Sequence, residues 1–444
     1  MDSSICKWLE QDYDKIKADC LKNKKLFVDP KFTNFIEENR DCEVKRPTEL
    51  CQTPHFFPQD ISRLDIQQGE LGDCWLVAAI VTLPQHLKLL ERVVPKDQHY
   101  SEDYAGIFRF RFWKHGGWVE VVVDDRLLIK GGQEKFARST KSCEYWIALV
   151  EKAYAKLYGS YKMLEGGDPG VAMEDLTGGI SEQFCLANAP SNLFNILYQS
   201  SIRESLLTAS IYGDGREKIT PLGLVKKHAY SITKVHVVEH TSLPKKAQLL
   251  RIKNPWANKM EWKGPWSDRS PQWNAISSSE KQELGLVFEN DGEFWISFED
   301  FQEQFTAVNI CHITLESLFG HECGAHWYKN KFEDSFKNKK KFVVTLSQPD
   351  EGDPESKCSL IVALVPKSLG RDRSRDDHIA IHIYDKDDNV LPPDPSINSR
   401  DLVQRHKLPP GQYAVKPRSN GTGDYLLHIY TEQRHDVYNI KEEY

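Results

Sequence analysis

The 444-residue sequence has no stretch that is long and apolar enough to span a bilayer, and its N-terminus lacks the basic-then-apolar pattern of a secretory signal. Its ten cysteines show neither the paired spacings of zinc sites nor a disulfide framework, so we expect mostly reduced thiols. A net charge of −7 is mild and argues against nucleic acid as the main partner. The sequence therefore predicts a cytoplasmic globular protein, and its 40% hydrophobic residues suffice for two or three domains.

Cys74 lies in the run of residues 68–80, QGELGDCWLVAAI, which has the parts of a nucleophile turn. Gly69 and Gly72 permit a close, positive-φ approach of backbone to backbone. Asp73 is placed to cap the helix that the apolar residues after it predict. Cys74 then begins that helix, where the positive end of the helix dipole favours the thiolate.

Gln68 precedes the cysteine by six residues. Across a glycine-rich turn its side-chain amide can return to the same place and donate a hydrogen bond to a developing oxyanion. A lone cysteine in an apolar run is usually an inert core residue. Here the glutamine, the two glycines, the Asp-Cys-Trp sequence and the abrupt helix onset occur together, and this combination favours a nucleophile over the core interpretation.

A thiol nucleophile needs a base and a residue that holds the base. Among the fifteen histidines we select His228, because it precedes a strand-like stretch and the small Ala229 follows it. Asn254 is the candidate that accepts the imidazole N–H, since it ends a strand-like run and is followed by proline. The indole of Trp256 would exclude water from this hydrogen bond. Each residue alone fits an ordinary strand end or turn, so the argument rests on the order Cys, His, Asn.

The sequence resembles the calpains, the calcium-dependent cytosolic cysteine peptidases, from about residue 45 to residue 316, with weaker similarity to the end. The blocks that carry the resemblance are 68–80, 104–108 (YAGIF), 118–127 (WVEVVVDDRL), 144–146 (EYW), 151–156 (EKAYAK), 174–179 (EDLTGG), 228–230 (HAY), 254–256 (NPW) and 291–295 (DGEFW). By this resemblance Cys74 is the nucleophile, His228 the base and acid, and Asn254 the orienting residue. Gln68 is then the oxyanion donor, and Trp256 wedges between two lobes in the calcium-free state and swings aside on calcium binding.

The same resemblance implies an α+β fold, with a papain-like two-lobed protease core followed by an all-β, C2-like sandwich. We divide the chain into a helical lead segment (1–44), a first lobe with the cysteine (45–178), a second lobe with the histidine and asparagine (179–316) and the sandwich (324–444). In the lead segment, the apolar residues Trp8, Leu9, Tyr13 and Ile16 are spaced as on one face of a helix. In the sandwich, short runs alternate apolar and polar residues between turn-rich linkers. These predicted strands are residues 341–346, 358–364, 379–384, 412–415 and 425–430.

Carboxylates, the hard oxygen ligands that calcium prefers, cluster in two places. By the resemblance the second-lobe calcium ligands are Glu261, Asp268, Glu289, Asp291 and Glu293. The first-lobe ligands are Asp65 and Glu144, with carbonyl groups near residues 58–60. Solvated acidic loops are the alternative interpretation. Since the nucleophile and the base lie on different lobes, calcium binding that closes the lobes would switch catalysis on.

Some features depart from the family pattern. Ala257 follows Asn-Pro-Trp where a glycine is usual, and the longer loop after it leaves the position of Glu261 open. Asp60 also replaces a usual glycine, which leaves carbonyl donation there open. Residues 385–389 begin like an EF-hand loop, but the glycine at position six and the glutamate at position twelve are missing, so we predict a turn. The chain ends without a penta-EF-hand domain, and we expect no docking of a penta-EF-hand partner.

These observations predict a calcium-activated, monomeric cysteine endopeptidase that makes limited cuts in intracellular proteins through a Cys74 acyl-enzyme. One alternative is a catalytically silent, calcium-dependent scaffold with the same fold, which the complete Cys-His-Asn-Gln set disfavours. A transglutaminase-like acyl transferase is another, which the Asn-Pro-Trp context disfavours. In the last domain, the basic residues of 337–341 and the acidic loop 350–355 fit either contact with an anionic membrane or a solvated surface. We favour the solvated surface slightly.

Overall fold

The structure is a computed structural model that describes residues 5–57, 62–114, 116–239, 246–314, 327–366, 379–398, 401–433 and 436–441. It divides into two compact units. The first comprises Met1–Gly179 and Phe194–Cys311, and the second comprises Ile180–Leu193 and His312–Tyr444. Helices and strands are mixed in the first unit and strands dominate the second, which confirms the predicted α+β class. The four predicted segment boundaries stay a prediction.

Ten α-helices occur in the described residues, and none of these helices is both long and apolar enough to cross a bilayer. They span Tyr13–Lys22, Asn34–Glu37, Pro47–Leu50, Cys74–Thr82, Leu87–Val93, Trp146–Tyr158, Pro169–Thr177, Leu193–Ile202, Ser278–Leu284 and Phe298–Gln304. Short 3-10 turns span Trp8–Glu10, Arg63–Asp65, Leu83–Gln85, Tyr161–Leu164, Leu186–Asn188, Pro271–Ala275 and Phe336–Asn338.

The first unit contains an antiparallel sheet that carries three of the predicted site residues, His228, Asn254 and Glu293, at or next to its strand ends. Its strands lie in the order Glu293–Ser297, Ala247–Lys253, His228–Val238, Leu206–Ile211 and Ala307–His312. The other strands of this unit are short or form hairpins: Cys6–Lys7, Glu43–Lys45, Ile66–Gln67, Ile107–Lys114, Gly117–Asp124, Leu127–Lys130, Gln133–Glu134, Arg138–Ser139, Lys218–Ile219 and Val225–Lys226.

The Cys74–Thr82 helix is the buried centre of the first unit. From Trp75 onward every residue of this helix is buried, as expected for a helix that is apolar on all sides. It packs against the His228–Val238 strand and the Pro169–Thr177 helix. The hydroxyl of Ser231 on that strand donates to the backbone oxygen of Ala78 at 2.6 Å. The cysteine helix and the histidine strand are thus joined directly.

The lead segment differs in part from its prediction. Trp8 and Leu9 lie in a 3-10 turn with a positive φ of 53° at Leu9, so they do not share a helix with Tyr13. The first α-helix begins only at Tyr13, because the side chain of Asp12 accepts a hydrogen bond from the backbone N–H of Lys15 and caps it there. Tyr13 packs in a cluster with Ala105, Ile107 and Val122. The first helix of the lead segment therefore packs on residues of the first unit.

One disulfide joins Cys51 and Cys143, which are 92 residues apart in sequence. Their separation explains why the spacing of the cysteines did not predict the pair. The other seven cysteines in the described residues are free, in agreement with mostly reduced thiols: Cys6, Cys20, Cys42, Cys74, Cys185, Cys311 and Cys358. Beside the disulfide, the backbone N–H of His55 donates to the carbonyl of Cys143 at 2.7 Å. The disulfide thus fixes the segment that continues into Glu144.

The second unit contains two four-stranded antiparallel sheets that enclose one apolar core. The first sheet has the order Tyr328–Ser335, Asp424–Thr431, Cys358–Pro366 and Leu402–Leu408. The second has the order Ile379–Tyr384, Gly411–Ser419, Lys340–Leu346 and Asp436–Lys441. Two further strands of this unit, Ile180–Cys185 and Ser396–Ile397, pair with each other. All five predicted strands are present, and the three strands of the two four-stranded sheets that were not predicted are rich in charged and polar residues.

Charged residues of the sandwich pair within the domain. Lys340 approaches Asp334 at 2.6 Å, and Lys407 approaches both Asp350 and Asp353, at 2.6 and 2.8 Å. Some residues of both charged runs therefore have partners within the domain, and the choice between membrane contact and a solvated surface stays a prediction. Residues 385–389 form a turn after a strand, in which the Asp385 carboxylate accepts the backbone N–H of Asn389. That prediction is confirmed.

Candidate active site

Cys74 is the first residue of its helix, as predicted, and its side chain is half-buried. Gly69 is required by a close approach, because a Cβ there would lie 2.2 Å from the backbone oxygen of Phe136. Neither Gly69 nor Gly72 has a positive φ, and a Cβ at Gly72 would meet open space. The expected close approach of backbone to backbone is therefore present at Gly69 and not at Gly72, and neither glycine uses the positive φ that glycine permits.

Asp73 occupies the N-cap position of the cysteine helix, but its side chain makes no capping hydrogen bond. The expected cap is therefore wrong. Both carboxylate oxygens are buried and lack a hydrogen-bond donor among the described residues. The side chain instead faces the equally buried Glu151, whose oxygens accept the backbone N–H of Ala137 at 3.0 and 3.1 Å.

Burial raises the pKa of Asp73 to about 6, and burial together with the charge of Asp73 raises the pKa of Glu151 well above its ordinary value. Two buried carboxyl groups that face each other cannot both ionise without a large cost. Both shifts favour a pair that shares one proton over two ionised carboxylates.

We predict that the free energy of unfolding of Glu151→Gln, minus that of wild type, increases as the pH rises from 5 to 8. A carboxyl group whose pKa is raised by folding stabilises the fold below its unfolded pKa of about 4, and this contribution is lost as the pH rises through the folded value. The glutamine amide donates to an ionised Asp73 and needs no proton. The difference in unfolding free energy should reach up to roughly 3 kcal/mol, measured by urea denaturation.

The control for this prediction is Glu102→Gln, since Glu102 is an exposed acid of the same unit. Its stability relative to wild type should not change with pH by more than a few tenths of a kcal/mol. A stability difference for Glu151→Gln that stays constant between pH 5 and 8 would contradict the shared proton.

His228 and Asn254 meet because they lie on neighbouring antiparallel strands. Ser231 is opposite Lys253 in the ladder, so the beginning of one strand lies beside the end of the other. The Nε2 atom of His228 is 2.9 Å from Oδ1 of Asn254. The same oxygen accepts the backbone N–H of Trp256 at 3.0 Å, and the Asn254 amide donates to the backbone oxygen of Met260 at 3.1 Å. These bonds make Oδ1 the acceptor, so Nε2 carries the proton.

Trp256 lies against the imidazole, with 5.0 Å between the centroids of its ring and that of His228. Its indole is half-buried. The structure therefore places the predicted shielding residue beside the Asn–His hydrogen bond. Its wedge-and-swing movement stays a prediction.

A ring nitrogen of His228 and the sulfur of Cys74 lie within 4.8 Å of each other. Burial opposes the charged imidazole, but hydrogen bonding to Cys74 and Glu217 outweighs it and raises the pKa of His228 to about 9. The imidazole therefore lies where it can take the proton of the Cys74 thiol, as a cysteine nucleophile requires.

Glu217 reaches the imidazole as well, and the sequence analysis did not identify it. Its Oε1 lies 2.9 Å from Nδ1 of His228. Glu217 directly precedes the Lys218–Ile219 strand, which pairs with Val225–Lys226, and this pairing brings residue 217 beside the histidine. In sequence it is one charged residue of the run REK, and nothing in that run distinguishes it from a solvated loop.

Gln68 lies close to Cys74, but its side chain is already engaged. Its Nε2 donates to the backbone oxygen of Leu71 at 2.7 Å, which leaves one N–H of the amide for another acceptor. Its backbone N–H donates to the carbonyl of Pro255 at 2.8 Å. The neighbouring Gln67 donates to the carbonyl of Trp256 at 3.1 Å. The predicted oxyanion turn is thus tied to the loop that carries Asn254.

Arg63 forms a second connection between the two predicted lobes. Its guanidinium donates two hydrogen bonds of 2.7 Å to the carboxylate of Glu293. Thr233 also donates to this carboxylate, at 3.0 Å. Burial opposes ionisation of Glu293, but Arg63 and Arg251 lower its pKa. The structure therefore uses one predicted calcium ligand as the partner of an arginine.

The other second-lobe carboxylates form an acidic cluster. Glu261 accepts the backbone N–H of Gly292 at 2.8 Å, so the longer loop does not remove it from the neighbourhood of Asp291. Burial, together with the charges of Glu261, Asp291 and Glu293, raises the pKa of Asp268 to about 7. Glu289 is exposed and adds to the negative charge around Asp291. Bound calcium would neutralise this negative charge, and the roles of these residues as calcium ligands stay predictions.

The first-lobe residues also lie together. Burial and the charge of Asp65 raise the pKa of Glu144. Asp65 accepts the backbone N–H of Ser62 at 2.9 Å and pairs with Lys141 at 3.1 Å, whereas Glu144 accepts the indole N–H of Trp146 at 2.6 Å. The predicted carbonyl ligands near residues 58–60 lie outside the described residues. The two acids fit a cation, and their roles as calcium ligands stay predictions.

Comparison with known proteins finds two family profiles and several relatives. A profile described as "Calpain family cysteine protease" matches residues 21–312, and one described as "Calpain large subunit, domain III" matches residues 320–430. The chain is 40% identical to Calpain-A of Drosophila melanogaster over 96% of its length and 37% identical to the Calpain-2 catalytic subunit of Bos taurus over 98%. It covers 70% of the bovine protein. It spans just over half of Calpain-A and of Calpain-B from D. melanogaster, namely 58% and 52%.

Proposed function

Because this chain belongs to the calpain family of cysteine proteases, we propose that it is a calcium-activated cytoplasmic endopeptidase that makes limited cuts in protein substrates. Cys74 attacks the peptide carbonyl and forms an acyl-enzyme, while His228 transfers the proton to the leaving amine. Water then releases the acyl group with His228 as the base. Asn254 holds the imidazole, and Gln68 donates to the oxyanion. The protein acts as a monomer.

The observation that carries this proposal is the arrangement of Cys74, His228 and Asn254. Asn254 fixes the protonated nitrogen of the imidazole, and the sulfur lies near the ring. Positioned general acid–base groups of this kind accelerate acyl transfer only when all of them are aligned. Cys74 comes from a helix and the other two from strand ends, so movement of these elements controls the reaction.

Calcium fits the proposal through its effect on these elements. Glu261, Asp268 and Asp291 would hold the ion in the second lobe, and Asp65 and Glu144 would hold one in the first. Bound calcium would neutralise the repelling carboxylates and fix the loops that carry them. The loop of Asp291 leads directly to Glu293, and that of Asp65 contains Arg63. Calcium binding therefore supports the Arg63–Glu293 contact between the lobes.

Casein cleavage by the purified chain with calcium or with a calcium chelator tests the proposal. We expect cleavage only with calcium. Cleavage in the presence of the chelator would indicate a protease that calcium does not activate. A folded protein that does not cleave casein under either condition would favour the scaffold function. Incorporation of a labelled amine into casein without cleavage would instead indicate an acyl transferase.

We predict that Asp268→Asn raises the calcium concentration for half-maximal activity by roughly tenfold, because ligand charge sets the affinity of calcium sites.

For wild type, the calcium concentration for half-maximal activity should also rise as the pH falls from 8 to 6. The pKa of Asp268 is raised to about 7, so protons compete with calcium over this range. The asparagine variant should show a smaller dependence on pH.

Glu303→Gln is the matched control, because Glu303 is an exposed acid of the same unit. Calcium titrations of casein cleavage, each at pH 6 and pH 8, supply both comparisons. An unchanged calcium midpoint in Asp268→Asn, with the midpoint of the control also unchanged, would exclude Asp268 from the calcium site.

A further inference from the structure

Glu217 has no task in the proposed proteolytic reaction, although it contacts the catalytic base. The base needs one partner on Nε2, which Asn254 provides, and on its other side it needs access to the sulfur and the leaving amine. The carboxylate of Glu217 lies on Nδ1 instead, at 2.9 Å. The proposed proteolytic reaction therefore does not explain why the carboxylate of Glu217 lies beside Cys74 and His228.

The atoms of Cys74, Glu217 and His228 form a metal-ligand set. Among the described residues, this is the one group of three or more His, Cys, Asp or Glu side chains whose ligand atoms all lie within 4.8 Å of one another. It offers a thiolate sulfur, an imidazole nitrogen and a carboxylate oxygen. Three protein ligands of these types with one open position are typical of tetrahedral zinc.

The histidine is already held as a metal-binding histidine is held. Zinc-binding imidazoles bind with one nitrogen and donate the N–H of the other to an oxygen acceptor, which fixes the tautomer and the ring orientation. Here the Asn254 oxygen accepts from Nε2, and the indole of Trp256 lies against the ring. Nδ1 therefore faces Glu217, and a bound ion would take its lone pair in place of a proton.

The chemistry of the three ligands selects the metal. A thiolate is a soft ligand that calcium and magnesium avoid, whereas zinc accepts sulfur, nitrogen and oxygen together. The thiolate and the carboxylate bring two negative charges, which match a divalent cation. The Glu217 side chain is 34% exposed and the cysteine is half-buried, so an ion has access from solvent.

We propose that Cys74, His228 and Glu217 form an inhibitory site for a thiophilic divalent cation, with zinc as the ion that fits best. The proposal rests on the proposed function, because bound zinc occupies the nucleophile and the base together. Zinc binding displaces the protons of the thiol and of Nδ1 into solvent and blocks attack on a peptide, and removal of zinc restores the enzyme. This site is separate in residues and in ligand type from the carboxylate clusters proposed for calcium.

Cobalt binding tests the site without any need for activity. Cobalt(II) replaces zinc and gives a thiolate-to-metal charge-transfer band when a cysteine sulfur is a ligand. We expect this band in the wild-type chain, its loss in Cys74→Ala, and its displacement by added zinc chloride. Glu217→Gln should weaken zinc affinity, measured by competition with cobalt, by at least roughly tenfold. Glu283→Gln, which changes an exposed acid elsewhere in the same unit, should bind zinc as wild type does.

Inhibition is then measured with zinc chloride at saturating calcium, with each variant compared to its own zinc-free rate. A chelator that prefers zinc to calcium should restore casein cleavage. Absence of a Cys74-dependent cobalt band, or equal zinc affinity of Glu217→Gln and wild type, would overturn the proposal even if the chain is an active protease. A cobalt band with these dependences on Cys74 and Glu217 would support the site even if casein is not cleaved.

Discussion

Replacement of Cys74 by alanine is expected to lower calcium-dependent casein cleavage by at least roughly 10⁴-fold, because loss of the nucleophile leaves only binding and oxyanion contributions. The half-buried sulfur lies at the start of a buried helix and near a base whose pKa is raised to about 9. Removal of one sulfur atom from this position leaves the helix packing intact. Initial rates at saturating calcium provide the measurement.

Cys6→Ala is the matched control, since Cys6 is an exposed free thiol of the same unit. It should keep its cleavage rate within about twofold of wild type, as surface substitutions away from a site usually do. Thermal denaturation of both variants shows that the fold is retained. Iodoacetamide should label Cys74 faster than Cys6 in the wild-type chain. A Cys74→Ala protein that cleaves casein within tenfold of wild type would mean that Cys74 is not the nucleophile.

Local sequence patterns predicted the elements that carry the site. The apolar run after Asp73 predicted the Cys74–Thr82 helix, and the strand-like runs beside His228 and Asn254 predicted the two strands that meet there. These predictions succeeded because each depends on periodicity over one short segment. The same reason explains the five confirmed strands of the sandwich.

Contacts between distant segments could not be predicted from local sequence patterns. Glu217 reaches His228 only through a two-residue strand pairing, and Glu151 acts on Asp73 although the two residues are 78 positions apart in sequence. Arg63 and Glu293 are 230 residues apart. In each case a charged residue that looks solvated in sequence has a buried or part-buried partner, which only the packing of the elements defines.

The predicted helix cap by Asp73 is wrong because a tertiary contact acts against the local preference of this residue. Aspartate is a good N-cap residue because its side chain normally accepts a free N–H of the first turn. Here the φ/ψ values of Asp73 are −110° and 28°, and the side chain turns toward Glu151 rather than to the helix. The tertiary partner therefore overrides the local preference at the residue next to the nucleophile.

Replacement of Asn254 by alanine is expected to lower kcat for casein cleavage roughly 10²- to 10³-fold, with a much smaller change in KM. Asn254 contacts the base and not the substrate, so its loss affects the reaction more than binding. Its oxygen holds Nε2 of His228, and its amide is itself fixed by Met260. Without the oxygen, the imidazole can rotate or take the other tautomer, and the proton is then on the nitrogen that faces the sulfur.

Two variants separate this effect from general damage to the loop. Asn258→Ala removes a nearby amide that accepts the backbone N–H of Met260 but does not bond to His228, and it should retain kcat within about threefold. Asn254→Asp keeps an acceptor for Nε2, so its loss should be smaller than that of Asn254→Ala. The calcium midpoint should stay near the wild-type value in all three proteins, because none of these side chains belongs to the acidic clusters. A loss in Asn254→Ala that lies wholly in KM, or that Asn258→Ala reproduces, would show that Asn254 supports the loop rather than the base.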